Sequence, residues 1–117
     1  MLEPSCIFCQ IANGNAVADV IYRDERLTVF RDIHPITPVH VLIIPNMHFE
    51  SVNDVVDADA SLLGHLIVTA REIASREGLL ESGYRLVINS GPDAGQTVHH
   101  LHLHLLGGAR MPFHFGG

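Results

Sequence analysis

The chain contains no lysine: its seven basic residues are all arginine, and they are scattered rather than clustered. Without lysine there is no Schiff-base chemistry and no P-loop, and no glycine-rich phosphate motif of either standard type occurs. A formal charge of −6 with no basic patch argues against a nucleic-acid backbone as partner. No apolar stretch reaches the roughly 18 residues of a membrane span, and Met1 to Ser5 lack the basic start and apolar run of a signal peptide. A cytoplasmic location is therefore expected. Cysteine occurs only twice, as Cys6-Ile7-Phe8-Cys9. In a cytoplasmic chain that spacing reads as a metal or redox pair rather than a structural disulfide. A thioredoxin-type pair sits between a strand and a helix; here no strand precedes it, which favours metal.

At 117 residues, 47% of them apolar, the chain can bury a core as one domain, residues 1–117. Residues Pro4 to Ala12 carry Ile7, Phe8 and Ile11 at helical spacing, and Asn13-Gly14-Asn15 ends that segment. Asp19–Arg23 and Leu27–Arg31 read as a hairpin across Asp24-Glu25-Arg26, and Val39–Pro45 as a nearly continuous apolar strand interrupted by His40. From Asp59 to Glu77 the residues Leu63, Leu66, Ile67, Ala70, Ile73 and Ala74 follow one helical stripe, with Gly78 as the stop. Tyr84–Asn89 and His99–Leu106 read as the fourth and fifth strands, separated by the polar loop Ser90–Gln96. The sum is an α+β domain, an antiparallel sheet with helices packed on it. The tail carries Met111, Phe113 and Phe115 with nothing evident to cover them, which suggests a surface for a second copy of the chain.

The feature that most demands a chemical reading is His100-Leu101-His102-Leu103-His104. In an extended segment the three imidazoles face one way and the leucines the other. Packing explains an imidazole face poorly, whereas a neutral imidazole can act as a nucleophile, a proton carrier or a metal ligand near neutral pH. Two chemistries fit: a tri-histidine zinc site, or a central nucleophilic histidine with flanking proton carriers. In the preceding loop, Asn89, Ser90, Gly91, Gln96 and Thr97 offer amide, hydroxyl and backbone N–H donors of the kind that cradle an anion. His34, His65 and His114 read as loop, helix and tail histidines without a catalytic role.

Gln96-Thr97-Val98-His99-His100-Leu101-His102-Leu103-His104-Leu105-Leu106 resembles the signature of the histidine triad (HIT) family. Further blocks resemble the family in the correct order: Cys6–Ile11, Phe30–Pro35, Pro38–Pro45, Asn89-Ser90-Gly91 and Leu106-Gly107-Gly108. The closing glycines and the tail from Met111 to Phe113 most resemble its Hint branch, the purine nucleoside phosphoramidase type. The resemblance implies a five-stranded antiparallel sheet with two helices, pairing into a ten-stranded sheet in a homodimer. It implies hydrolysis of a nucleoside 5′-phosphoramidate, or a related nucleotidyl substrate, at the α-phosphate through a covalent nucleotidyl-histidine. On that implication His102 is the nucleophile, His104 holds phosphate oxygens and donates protons, His40 relays protons from behind, and His100 completes the set. Asp32 would bind the ribose hydroxyls, and Asn89, Gly95, Gln96 and Thr97 the phosphate or leaving group. Ile7, Phe8, Ile11, Phe30 and Ile33 would line the slot for the base.

The same resemblance implies a structural zinc held by Cys6, Cys9, His48 and His100, with no cofactor for catalysis itself. The expected partner is a purine nucleotide or nucleoside phosphoramidate, with neither nucleic acid nor membrane involved. Two rivals are a dinucleoside polyphosphate hydrolase or nucleotidyltransferase using the same nucleophile, and a non-catalytic nucleotide-binding module, which would have no need of His102. The histidine at position 99 departs from the aromatic or apolar residue usual in the family. In a continuous strand it would share the face of Leu101.

Overall fold

The structure is a computed structural model and describes residue 3 and residues 5–112. Pro4 and the tail residues Phe113, His114 and Phe115, named above, lie outside the described residues. The elements run α1 (Ile7–Ala12), β1 (Val20–Arg23), β2 (Leu27–Arg31), β3 (Val39–Pro45), α2 (Ala60–Arg76), β4 (Tyr84–Ile88) and β5 (Leu103–Gly107). Three single 3-10 turns, Val52–Asp54, Asp57–Asp59 and Pro92–Ala94, sit in the connections. The strands form one five-stranded antiparallel sheet in the order β1-β2-β3-β5-β4. The α+β class and the sheet of five strands with two helices are thus as the sequence implies.

The apolar run of β3 follows from its position at the centre of the sheet, covered on both faces. Val41 and Ile43 join Leu27, Val29, Leu103 and Leu105 beneath the α2 residues Leu66, Ala70, Ile73 and Ala74. On the opposite face Leu42 and Ile44 join Phe30 beneath Phe8, Ile11 and Ala12 of α1. Alternation carries His40 and His104 onto this second face. It is also the face of Arg85 and Val87, because Arg85 pairs with Leu106 and Val87 with His104. The six-residue α1 covers only the β1–β3 side, so the β5–β4 side of this face stays open.

Helix α2 ends where expected, with Gly78 in a left-handed conformation at φ 74°. Its buried stripe departs from the expected one at Ile67, which lies at the margin and is 46% exposed, while Thr69 is buried. The hairpin turn is organised by Asp24. Its Oδ1 accepts from the N–H groups of Arg26 and Leu27, and its Oδ2 from the Tyr22 hydroxyl and His65 of α2, at 2.8 and 2.7 Å. Burial alone would raise the Asp24 pKa, but the hydrogen bonds from His65, Arg26, Tyr22 and Leu27 outweigh it and hold the carboxyl well below the usual range. His65 therefore ties helix to hairpin. At the other end of the sheet, a Cβ on Gly107 would lie 2.7 Å from Cδ1 of Leu79, so a larger residue there would make the Leu79 side chain shift.

The fifth strand is shorter than expected. The sequence alternation suggests His99–Leu106, but the ladder begins at Leu103. The reason lies in β3: its last residue, Pro45, has no N–H to give, and its carbonyl oxygen accepts from Nε2 of His100 at 2.8 Å. Upstream of Leu103 the chain leaves the sheet, with Leu101 N–H donating to Phe49 O at 2.7 Å. Alternation persists through Leu101 and His102, but His99 falls in a bend and is exposed rather than sharing the buried face of Leu101.

Leu105 is fully buried between the sheet and α2. Leu105→Ala is expected to lower the unfolding free energy by about 2–5 kcal/mol, read from urea denaturation. A loss below about 1 kcal/mol would mean that this layer collapses onto the vacated space.

Candidate functional site

Leaving the sheet at Leu103 splits the three alternating histidines between two clusters. His100 turns toward the N-terminal segment. Its Nδ1 lies 3.3 Å from Cys6 Sγ, 3.5 Å from Cys9 Sγ and 3.2 Å from His48 Nδ1, and Cys9 Sγ lies 3.3 Å from His48 Nδ1. All four ligand atoms fall within 4.8 Å of one another and form a group able to hold a metal ion. A tetrahedral zinc with ordinary Zn–S and Zn–N bonds would set S···N edges near ~3.6 Å and N···N edges near ~3.3 Å, so the separations suit it. The tautomer suits it too. Because His100 Nε2–H donates to Pro45 O, its Nδ1 carries the lone pair that faces the thiols. Burial, together with repulsion from His48 and His102, pushes the His100 pKa down to about 4, which keeps the ring neutral as a ligand must be. Burial raises the Cys9 thiol.

The cysteine pair also builds the local structure. Cys6 is the N-cap of α1, and its Sγ accepts from the Cys9 N–H at 3.3 Å. The single turn and a half of helix this starts places Phe8 against Phe30, at a ring separation of 5.4 Å. It also stands Phe8 edge-on to His102 at 5.2 Å and 89°.

The second cluster comprises His102, His104, His40 and Asp32. His102 Nδ1–H donates to the backbone carbonyl of His100 at 2.7 Å, which leaves Nε2 with the lone pair. His104 is set the other way. The Ile36 N–H donates to His40 Nδ1 at 3.2 Å, so the proton of neutral His40 is on Nε2 and goes to His104 Nδ1 at 2.9 Å. That assigns the His104 proton to Nε2. Asp32 Oδ2 lies 3.4 Å from His40 Nε2. The rings of His102 and His104 are 4.9 Å apart. Two adjacent imidazoles thus carry opposite tautomers, one with a lone pair to give and one with a proton. Burial, with His102 and His40 nearby, pushes His104 down to about 4; burial also lowers His102 and His40.

The remaining candidates scatter around this core. Phe8, Ile11 and Phe30 are buried together, whereas Ile7 is 51% and Ile33 80% exposed at the rim. Asn89 lies beyond the end of β4 and lines a cavity of about 550 Å3 with His40 and His104. Gly95 and Thr97 are exposed. Gln96 is buried with its side chain committed to backbone: Oε1 accepts from Gly91 N–H, and Nε2 donates to Glu50 O and Val98 O. It braces the loop rather than presenting its amide. Sequence reading missed the backbone groups that set the tautomers, namely the carbonyls of Pro45 and His100 and the N–H of Ile36. No side-chain pattern encodes them, though Pro45 as a strand-ending proline was visible.

A protein-family model described as HIT domain matches residues 13–111. The chain belongs to the HIT family. It is 46% identical over 102 residues to the purine nucleoside phosphoramidase of Escherichia coli, covering 87% of this chain and 86% of that one. A HIT family hydrolase from Legionella pneumophila superposes with a TM-score of 0.91 at 48% identity, covering 93% and 97% of the two chains. A zinc-bound histidine triad family protein from Mycobacterium smegmatis superposes with a TM-score of 0.75 at 38% identity, covering 87% and 73%. Among the described residues of this HIT protein, no helix is long and apolar enough to cross a membrane.

The lowered histidine pKa values set a pH dependence. The unfolded chain takes up protons on these rings around the ordinary value of 6.5, while folded His100 and His104 resist protonation until about pH 4. Between those limits the unfolded state binds more protons, so acidification favours unfolding. The urea midpoint is expected to fall steadily from pH 7 to pH 4.5; a flat profile would show that the rings take up protons in the fold as they do in the unfolded chain.

Proposed function

We propose that this HIT-family chain is a nucleotide hydrolase that cleaves purine nucleoside 5′-phosphoramidates at the α-phosphate through a nucleotidyl-His102 intermediate. The observation that carries the reading is the pair of opposed tautomers on His102 and His104. The lone pair on His102 Nε2 forms a bond to the α-phosphorus as the P–N bond to the leaving amine breaks. The amine departs with the bonding electrons and takes the proton of His104 Nε2–H. His104 stays neutral because its Nδ1 takes the Nε2 proton of His40, and His40 Nε2 is reprotonated from solvent beside Asp32. In the intermediate His102 is cationic, and its Nδ1–H bond to the His100 carbonyl strengthens as charge develops. Water then attacks the phosphorus, giving its proton to the free Nε2 of His104, whose Nδ1 proton returns through His40 to solvent, and the P–N bond to His102 breaks to release the nucleoside monophosphate and neutral His102.

Asp32, partly buried beside His40, suits the two vicinal hydroxyls of a ribose, because a carboxylate accepts both. The buried cluster of Phe8, Ile11 and Phe30, with Ile7 and Ile33 exposed at its rim, would offer an apolar wall to a planar base. The 46% identity to a purine nucleoside phosphoramidase supports this substrate class over a dinucleoside polyphosphate. Cys6, Cys9, His48 and His100 would hold a structural zinc. That ion, when bound, would pin α1 to the sheet and thereby hold Phe8 against His102.

His102→Ala is expected to abolish hydrolysis of adenosine 5′-phosphoramidate while leaving adenosine monophosphate affinity within about threefold of native, about 0.7 kcal/mol. Turnover above a tenth of native would remove His102 as nucleophile, and turnover of diadenosine polyphosphate alone would move the chain to that substrate. Cys6→Ser is expected to lower zinc content and thermal midpoint more than turnover per folded molecule. Unchanged zinc content would remove Cys6 from the ligand set.

A further inference from the structure

The Cys6, Cys9, His48 and His100 group is closed on one side and open on the other. Cys9 and His100 are buried, whereas Cys6 and His48 are half-buried. A cavity of about 340 Å3 reaches the group from the open side: Cys6 and His48 line it, and Cys9 and His100 do not. Glu3, Glu50 and His99 line the same cavity, and all three are exposed. Among the described residues no arginine lines it, and the Glu50 carboxylate and the His99 ring enter no hydrogen bond or ion pair.

This lining suits a cation in transit. Carboxylates around a concave mouth concentrate cations and repel an anionic nucleotide. A thiolate and imidazoles are ligands that zinc prefers to water. In a four-coordinate site closed by protein, an ion leaves only as a bond to one ligand gives way, and enters only as each bound water is replaced. Donors just outside the site ease both steps by holding the ion while an inner ligand is free. Position 99 is where this chain departs from the aromatic or apolar side chain usual in the family. The departure sets an imidazole beside the two ligands that face water.

We propose that this cavity is the port through which a zinc ion enters and leaves the four-residue group, with His99 and Glu50 as transient ligands. The inference rests on the reading of Cys6, Cys9, His48 and His100 as zinc ligands. On entry the ion trades waters for the His99 imidazole and the Glu50 carboxylate. It then trades these for His48 and for Cys6, whose thiol gives its proton to water. Exit retraces the same steps. A residue that holds the ion only in passage speeds both directions equally and leaves the equilibrium unchanged.

The test first measures zinc per chain by elemental mass spectrometry in the native protein and in Cys6→Ser. Zinc-loaded native protein, His99→Phe, Glu50→Gln and the double variant are then mixed with an excess of isotopically enriched zinc, and replacement of the bound ion is followed in time. The double variant is expected to exchange at least about tenfold more slowly than native. Its zinc dissociation constant, from competition with a chromophoric chelator, should stay within about threefold of native. Each single variant should fall between the two rates. Exchange in the double variant within about twofold of native overturns the port. So does slower exchange matched by an equal change in the dissociation constant, which would make His99 and Glu50 lasting ligands or supports of the site. Zinc absent from the native chain, or retained in Cys6→Ser, overturns the ligand reading and the port together. Zinc lost in Cys6→Ser with exchange unaltered in the double variant overturns the port alone.

Discussion

Everything at the candidate site depends on His100 being held from three sides. Its Nε2–H donates to the carbonyl of Pro45, its Nδ1 faces two thiols and a second imidazole, and its own backbone carbonyl receives Nδ1–H of His102. The first contact ends the β3–β5 ladder. The second ties the N-terminal segment to the sheet. The third fixes which nitrogen of His102 carries a proton. Rotating His100 would loosen α1 and free His102 to adopt the other tautomer in the same movement. The four residues able to hold a metal ion and the imidazole lone pair of His102 are therefore parts of one arrangement, joined through a single peptide unit.

The sheet supplies the second requirement, a dry place for neutral imidazoles. His40 sits on the central strand and His104 on the strand beside it, both surrounded by apolar neighbours. Burial disfavours the charged forms, and the proximity of one ring to the next disfavours them further. Neutral rings must then divide protons among themselves. The one fixed donor, the N–H of Ile36, decides the division by occupying His40 Nδ1. From that backbone group the order runs without choice through His40 to His104, so the proton-donating tautomer is a consequence of loop geometry between β2 and β3.

Much of this was legible in the sequence because period and composition act locally. The hairpin, the long apolar β3, the α2 stripe closed by Gly78, and the histidine alternation each follow from spacing alone, and the gathering of Cys6, Cys9, His48 and His100 follows from the family blocks. What escaped did so for two physical reasons. Alternation predicts facing but not pairing, so it carried the fifth strand back to His99 although Pro45 cannot extend the ladder; Ile67 was misplaced by the same assumption of ideal geometry, whereas the surface position expected of His99 agrees with its exposure. Backbone groups carry no sequence signature either. A buried amide such as that of Gln96 looks the same in sequence whether it braces its own loop or waits for a ligand.

Charge gives the last constraint. On the proposed reading an acidic chain must receive an anionic nucleotide in a site whose imidazoles are kept neutral by burial. Attraction cannot come from the net charge, which repels. It must come from local donors: the His104 Nε2–H and the amides of the loop before β5. Neutral imidazoles are then an advantage, since a permanently charged cluster would hold substrate and product alike, whereas His102 becomes cationic only when it bonds to phosphorus.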